Sequence, residues 1–328
     1  MGGPLTLAGD VGGTKAYLGI FHAQDAGVAC VAEDRFVTAE FAGVAELLQT
    51  FLDDCGQRPE RIVIGVPGPV RHTPVKPVNL PWTIDPPEIA ARLGVSDVQL
   101  LNDLQATAYG TLALPRDSLV ELNRGVPDDE GSIAVIAAGT GLGEGGLVWA
   151  GDRYVALASE GGHSSFAPGT DQESELWNYL YSRFGHVSWE RVVSGPGLTH
   201  IYEFLRESDG GDEPEWLVEE LATGIDQPGT ISRAATEEVE LAVRAMDLFV
   251  SLYGAEAGNL ALQGVAVGGV FIGGGVAPKI LPARQSGRFM EAFTDKGRFA
   301  GMLKGLEVSV ALDPRTPLRG AARIASQL

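Results

Sequence analysis

A chain of 328 residues, 45% hydrophobic and 20% charged, has the make-up of one large or two ordinary folded domains, not of a disordered segment. Its 24 Lys and Arg stand against 43 Asp and Glu, a formal charge of −19, which argues against nucleic acid or an anionic membrane as partner. Cys30 and Cys55 are too few for a disulfide framework, have no metal-ligand spacing, and fit a reducing cytoplasm.

Met1 to Leu5 lacks the basic and apolar regions of a secretory signal. Leu5 to Ala8 and Ala16 to Phe21 are apolar runs on either side of Gly9-Asp10-Val11-Gly12-Gly13-Thr14-Lys15, a strand–turn–strand pattern. A third strand is expected over Val28 to Val37. Val44, Leu47, Leu48, Phe51 and Leu52 then recur at helical spacing. Arg61 to Val66 reads as a buried strand, Asn79 to Trp82 as a loop and Pro87 to Leu93 as a helix. Val98 to Leu101 is strand-like, and after Asn102-Asp103 the small and apolar residues to Gly110 suit a helix. Asn102 and Asp103 thus fall at the carboxyl end of a strand, where open α/β sheets hold ligands. Asn102 is equally a helix cap, and Asp103 suits the helix dipole.

Beyond a surface turn at Asn123 to Gly131, Ile133 to Ala137 is a buried strand. It runs into Gly139-Thr140-Gly141-Leu142-Gly143-Glu144-Gly145-Gly146, and Leu147 to Trp149 resumes as strand. The pattern repeats that of the first hairpin and suggests a weak internal duplication. Tyr154 to Ala158 is a strand leading to Ser159-Glu160-Gly161-Gly162-His163. Helices are expected at Glu173 to Phe184, at Pro196 to Arg206 and, as one long element, from about Ala234 to Ala257. Val239, Val243, Met246, Phe249, Val250 and Tyr253 make that element's core stripe. Ala257 to Pro278 is uncharged, but Asn259, Gln263 and the Gly273-Gly274-Gly275 run make it a buried strand ending in a loop, not a membrane span. Val265 to Ile272 and Leu306 to Leu312 are strands, Phe289 to Phe293 is helical, and Arg315 to Leu328 closes the chain as a helix.

Three stretches have the chemistry of phosphate or ring recognition. At Asp10 to Thr14 paired glycines let backbone N–H groups approach a phosphate, Thr14 adds a hydroxyl, and Asp10 suits a hydrated Mg²⁺. Gly141, Gly143 and Gly146 match GxGxxG, but strand follows where a dinucleotide fold needs a helix, so Gly139 to Gly146 is read as a second phosphate hairpin with Thr140 as donor. Gly273 to Gly275 offers backbone alone, suited to a flat ring such as adenine. Glu160 and His163 in one tight loop suit the vicinal hydroxyls of a sugar; no partner for zinc lies beside His163.

Asp10-Val11-Gly12-Gly13-Thr14, Leu101-Asn102-Asp103-Leu104-Gln105-Ala106, Gly139-Thr140-Gly141-Leu142-Gly143, Ser159 to His163, Val193-Ser194-Gly195-Pro196-Gly197-Leu198 and Phe271 to Gly275 occur in this order. With that ordered set the chain resembles the bacterial glucokinases of the hexokinase/actin-like ATPase superfamily. The resemblance implies an α/β, two-domain actin-like ATPase (ribonuclease H-like) fold with the active site in the interdomain cleft. The expected smaller domain comprises residues 1–112 plus 306–328, and the larger one 113–305. It implies ATP-dependent phosphorylation of glucose at the 6-hydroxyl, with Asp103 as catalytic base and Asn79, Asn102, Glu160, His163 and Glu190 as sugar contacts. Gly9 to Thr14, Gly139 to Leu142 and Gly273 to Gly275 would hold the nucleotide, with Mg²⁺ on Asp10 through water. A homodimer is implied by the resemblance alone. Another hexose (mannose, fructose, an N-acetylhexosamine) or a non-catalytic sugar or ATP sensor on the same fold are the alternatives.

Overall fold

The computed structural model describes residues 4–24, 27–77, 80–208, 210–281 and 287–327. It divides into two compact units: Met1–Leu119 with Tyr154–Ala158 and Asp313–Leu328, and Val120–Arg153 with Ser159–Leu312. In chain order come β1 (Leu5–Val11), β2 (Lys15–Gln24), β3 (Gly27–Val37), α1 (Val44–Cys55), β4 (Arg61–Val66), α2 (Pro86–Leu93), β5 (Asp97–Asn102) and α3 (Asp103–Thr111). Strands β6 (Leu119–Asn123), β7 (Ile133–Ala138), β8 (Leu142–Trp149) and β9 (Tyr154–Leu157) follow. Next are α4 (Asp171–Phe184), α5 (Gly195–Ser208), α6 (Glu215–Thr223), α7 (Gln227–Thr236) and α8 (Glu240–Gly264). The chain continues with β10 (Gly269–Gly273), α9 (Arg288–Thr294), α10 (Ala300–Lys304) and β11 (Val308–Ala311), and ends with α11 (Thr316–Ala325). Among the described residues no helix is long and apolar enough to cross a membrane.

The first sheet has the order β3-β2-β1-β4-β5, and the second β6-β11-β10-β7-β8-β9. β1 is antiparallel to β2 and parallel to β4, which is parallel to β5. In the second sheet β7 is antiparallel to β8 and parallel to β10, which is parallel to β11. Read from its other edge, the second sheet therefore repeats the five-strand order and these pairing directions of the first, with β6 added beyond β11. The duplication suggested by the two glycine hairpins extends to whole sheets.

Each unit has its own core. In the first, Leu7, Leu18, Ile20, Ile62 and Ile64 pack with Leu47, Leu48 and Phe51 of α1 on one face of the sheet. On the other, Ala8 and Val63 pack with Leu318, Ala321 and Ala322 of α11. β4 is apolar on both faces, as a central parallel strand must be. In the second unit Ile136, Ile272 and Val310 pack with helices that include α5 and α8.

Several boundaries differ from the expectations. The single helix from Ala234 is two: α7 ends at Thr236, and Glu238 takes a left-handed φ of 61° before α8 starts at Glu240. α8 then runs on to Gly264, so the expected strand from Val265 is confined to β10, Gly269–Gly273. Val265, at φ 46°, is the left-handed cap that turns the chain between them. β8 starts at Leu142, because Gly143, Gly145 and Gly146 pair with β7; the turn is only Gly139 to Gly141. α6 was not foreseen. Residues 306–312, expected with the amino-terminal domain, fall in the second unit because β11 pairs with β10. Tyr154–Ala158 and residues 113–119 fall in the first unit instead of the second.

α11 is what holds α3 against the first sheet. A Cβ on Gly320 of α11 would strike the Ala106 carbonyl oxygen, and one on Gly110 of α3 would strike that of Thr316. Backbone meets backbone at this crossing, so there is no flexible side chain to give way. Gly320→Ala is expected to cost about 1–3 kcal/mol of stability, as overpacking does. Denaturant titration measures it, and an unshifted midpoint would contradict the close crossing.

Candidate active site

Parallel β1, β4 and β5 end at the same edge of the first sheet. Asp10 pairs with Gly65, and Val66 with Asn102, so Asp10 and Asp103 lie at this edge on either side of β4. Gly65 matters here: a Cβ there would stand 3.1 Å from Ala106 Cβ and 3.9 Å from Asp103 Cα. The missing side chain lets α3 begin directly over β4. Burial, and then the charge of Asp103, push the Asp10 carboxyl up to about 7. Asp10 keeps part of its surface open, but protein packed around the carboxyl still strips most of its water.

Asn102 is a full helix cap. Its Oδ1 accepts from Leu104 N (2.9 Å) and Gln105 N (3.3 Å), Gln105 Oε1 accepts from Asn102 N, and Asn102 Nδ2 donates to Gly68 O (3.2 Å). The capping role anticipated for Asn102 is real, and it leaves the side-chain oxygen committed to α3. Asp103 Oδ1 accepts from its neighbour Leu104 N at 2.9 Å. α3 is anchored further along by Tyr109, whose hydroxyl accepts from Ala156 N at 2.9 Å.

The turn Gly12 to Thr14 closes the β1–β2 hairpin. Gly12 N donates to Lys15 O (2.9 Å), Thr38 N to Thr14 O (3.2 Å) and Thr38 Oγ1 to Gly12 O (2.8 Å). Gly12 N is therefore spent on the turn, while Gly13 and Thr14 are exposed. Val11 is fully buried in the core, and a Cβ on Gly9 would press on Leu18 at 2.9 Å. Both serve the strand; any ligand contact of theirs is through backbone. Among the described residues no three or more His, Cys, Asp or Glu gather to hold a metal ion. A single carboxylate at Asp10 suits Mg²⁺, which keeps several waters and takes its other ligands from phosphate. Asn79 lies outside the described residues.

In the second unit β7 and β10 are likewise parallel neighbours, and their carboxyl ends carry the two glycine loops. Gly274, at φ 83°, passes so close over the Ala138 carbonyl that no side chain fits. Val276 N donates to that same carbonyl at 3.1 Å. Beneath both loops Tyr253 Oη accepts from Ala138 N (3.1 Å) and lies 3.4 Å from Gly273 O. Its stripe is core, as expected, but this hydroxyl was missed: helical spacing shows which face is buried, not what a phenol tip meets. Gly273 is buried, whereas Thr140, Gly274 and Gly275 are exposed.

Glu190 joins two of the expected groups. Its Oε2 accepts from Leu142 N at 3.0 Å, and its Oε1 lies 3.8 Å from His163 Nδ1. Of the Gly139 to Leu142 loop, the Gly139 amide is also satisfied, by Gly141 O at 2.8 Å, and the Leu142 side chain is buried. Thr140 and Gly141 are left to supply the loop's amides to an anion. Gly195, at the start of α5, donates its N–H to Gly139 O at 2.8 Å, which fixes the loop from behind. Glu160 and His163 flank a single helical turn, closed by His163 N donating to Glu160 O (3.0 Å) and Ser164 N to Gly161 O (2.8 Å). Both side chains are exposed. A neutral hydroxyl-rich ligand would find a carboxylate, an imidazole and a second carboxylate at Glu190 here, with donor and acceptor capacity for vicinal oxygens.

Comparison with known proteins gives the family and the fold. The family model described as Glucokinase matches residues 7–328. A glucokinase of Nostoc punctiforme is 37% identical over 339 residues, covering 99% of each chain. The crystal structure of a glucokinase from an Antarctic psychrotroph superposes with a TM-score of 0.88 at 30% identity, covering 99% of both chains. A ROK family glucokinase from Streptomyces griseus, solved with glucose and AMPPNP, has a TM-score of 0.67 at 21% identity, covering 99% of this chain and all of its own, and speaks to the fold. The fold is that of the two-domain actin-like sugar kinases, and the chain belongs to the glucokinase family.

Proposed function

We propose that the protein is an ATP-dependent glucokinase that transfers the γ-phosphoryl group of ATP to the 6-hydroxyl of glucose. The observation that carries the reading is Asp103 at the carboxyl end of β5, seated in a capped helix start across β4 from Asp10, in a chain of the glucokinase family.

In this reading Asp103 orients the 6-hydroxyl and takes its proton as the new O–P bond forms and ADP departs. Asn102 fixes the strand–helix junction and presents the rest of its amide to the sugar, with Asn79 as a further contact. Glu160, His163 and Glu190 grip sugar hydroxyls. The Thr14 and Thr140 hydroxyls and the amides of Gly13, Thr140 and Gly141 offset charge on the phosphates. Gly273 to Gly275 gives the base a surface without side chains. Mg²⁺ held by Asp10 through water would neutralise phosphate charge. The free thiols Cys30 and Cys55 support a reducing cytoplasm as the site of action, and the family resemblance carries a homodimer.

Three outcomes test this. ADP release should require a hexose, with glucose preferred across a panel of glucose, mannose, fructose and N-acetylglucosamine; ATP hydrolysis independent of sugar would contradict it. Asp103→Ala should lower kcat by about 10²–10⁴-fold, the range for a lost general base, with ATP binding retained. Asp10 bears on stability as well. Its carboxyl is raised from 3.8 to about 7, so the folded state holds a proton the unfolded state has lost, and stability falls as pH rises between those values. In metal-free buffer Asp10→Asn should therefore raise Tm near pH 8 by roughly 2–6 °C, a gain that shrinks toward pH 4, while activity falls. A Tm below wild type at the higher pH would contradict the burial argument.

A further inference from the structure

Two carboxylic acids are buried face to face in the second unit, and the proposed reaction uses neither. Glu144 on β8 is 2% exposed and Glu256 on α8 is 1% exposed. Ionised together they would repel in a medium that screens poorly, and each alone would suffer from lost hydration. Their surroundings break the symmetry. Burial raises the Glu256 carboxyl too, to about 7, but Asn259 Nδ2 donates to its Oε2 at 2.7 Å and the Lys296 ammonium acts on it as well, so Glu256 is the better anion of the two. Glu144 has no such help. It hydrogen-bonds to Glu256 as the protonated partner, and burial beside that anion pushes it up to about 8.

What Glu144 supports is the turn that carries Glu160 and His163. The bare Cα of Gly161 rests against Glu144 Oε2, where a Cβ would collide, and Gly162 is pressed in the same way onto the Leu142 carbonyl. Among the described residues Glu144 Oε1 is buried with no hydrogen-bond partner, which leaves the bond to Glu256 to orient the carboxyl. One strand thus bears the second unit's sugar cluster: Leu142 N holds Glu190, and Glu144 underlies Gly161.

We infer that Glu144 is a positioning residue for the sugar: as hydrogen-bond donor to Glu256 it forms the floor on which the Gly161–His163 turn is set, and so holds Glu160 and His163 in register. The inference rests on the proposed sugar role of those two residues. When Glu144 loses its proton, two anions face each other below the turn, and separating or hydrating them displaces Gly161. Sugar affinity then falls at alkaline pH while the nucleotide loops, anchored by Tyr253 and Gly195, are spared. The charged and titratable groups around the pair are Glu256 and Tyr253 of α8, Lys296 after α9 with its neighbour Asp295, and Glu173 of α4. On the turn side are His163 and Glu190.

The test is the pH dependence of glucose binding, by calorimetry without ATP and as glucose KM with saturating MgATP. In the wild type both constants should rise up to about tenfold from about pH 7 to about pH 9, as for loss of one required proton, with kcat and the ATP KM changing far less. Glu144→Gln keeps a neutral donor toward Glu256, so its glucose affinity should match wild type at the lower pH and stay flat at the higher. Glu144→Ala should weaken glucose at both pH values more than it lowers kcat; if it does not fold, the Gln variant decides. An alkaline loss of affinity that persists in Glu144→Gln would overturn the inference, since it would then belong to His163, Glu190 or Lys296. A flat wild-type profile would overturn it as well. A wild type that binds no glucose even near pH 7 would instead strike the sugar reading beneath it, and both would fall together.

Discussion

The parallel alignment of β1, β4 and β5 is the constraint on which the first unit's chemistry depends. Parallel strands end at one edge, so residues far apart in sequence, Asp10 and Asp103, come to one place. Two details sharpen that placement. Gly65 removes the side chain that would lift α3 off β4, and the Asn102 cap fixes where α3 begins. The glycine crossing of α3 with α11 then clamps the helix from outside. Asp10 carries the cost of the arrangement: its carboxyl is dehydrated and held near a like charge, which disfavours the folded chain at neutral pH and favours a cation.

The second unit solves a similar problem with polar side chains set under its loops. β7 and β10 bring Gly139 to Gly141 next to Gly273 to Gly275, and the Tyr253 hydroxyl reaches the last residues of both strands. Glu190 divides its two oxygens between the Leu142 amide and the His163 ring. Glycine-rich loops have little side-chain packing to hold them, so hydrogen bonds from buried neighbours give them their shape. That is also why a buried acid pair is tolerated at Glu144 and Glu256, where an apolar pair would pack at less cost but would hold nothing in register.

Much of this was legible in the sequence, for identifiable reasons. Apolar runs ending in glycine or in Asn102-Asp103 give the strands and the ends at which they stop, because period and punctuation are local properties. The family resemblance rested on the order of six motifs, none decisive alone. What was not legible depends on partners distant in sequence. Gly143, Gly145 and Gly146 look like loop until β7 pairs with them. The break between α7 and α8 carries no Gly or Pro, only Glu238 in a left-handed conformation. The assignment of 306–312 turns on which sheet β11 joins, and Asp313 onward belongs to the other unit. The double duty of Glu190 and the acid pair at Glu144 are side-chain facts with no signature in spacing, whereas the cap at Asn102 was legible because it is local; the one hint of the acid pair was a lone acid inside the glycine-rich strand β8.

The central claim is that this scaffold directs the γ-phosphoryl group to a single sugar oxygen with Asp103 as the acceptor of its proton. Phosphorus NMR of a mixture of protein, MgATP and glucose reads that directly. The account predicts ADP and glucose 6-phosphate appearing in equal amounts, with inorganic phosphate absent and no product formed by Asp103→Asn on the same timescale. Inorganic phosphate as the main product, phosphate on a different sugar oxygen, or undiminished transfer by Asp103→Asn would contradict it.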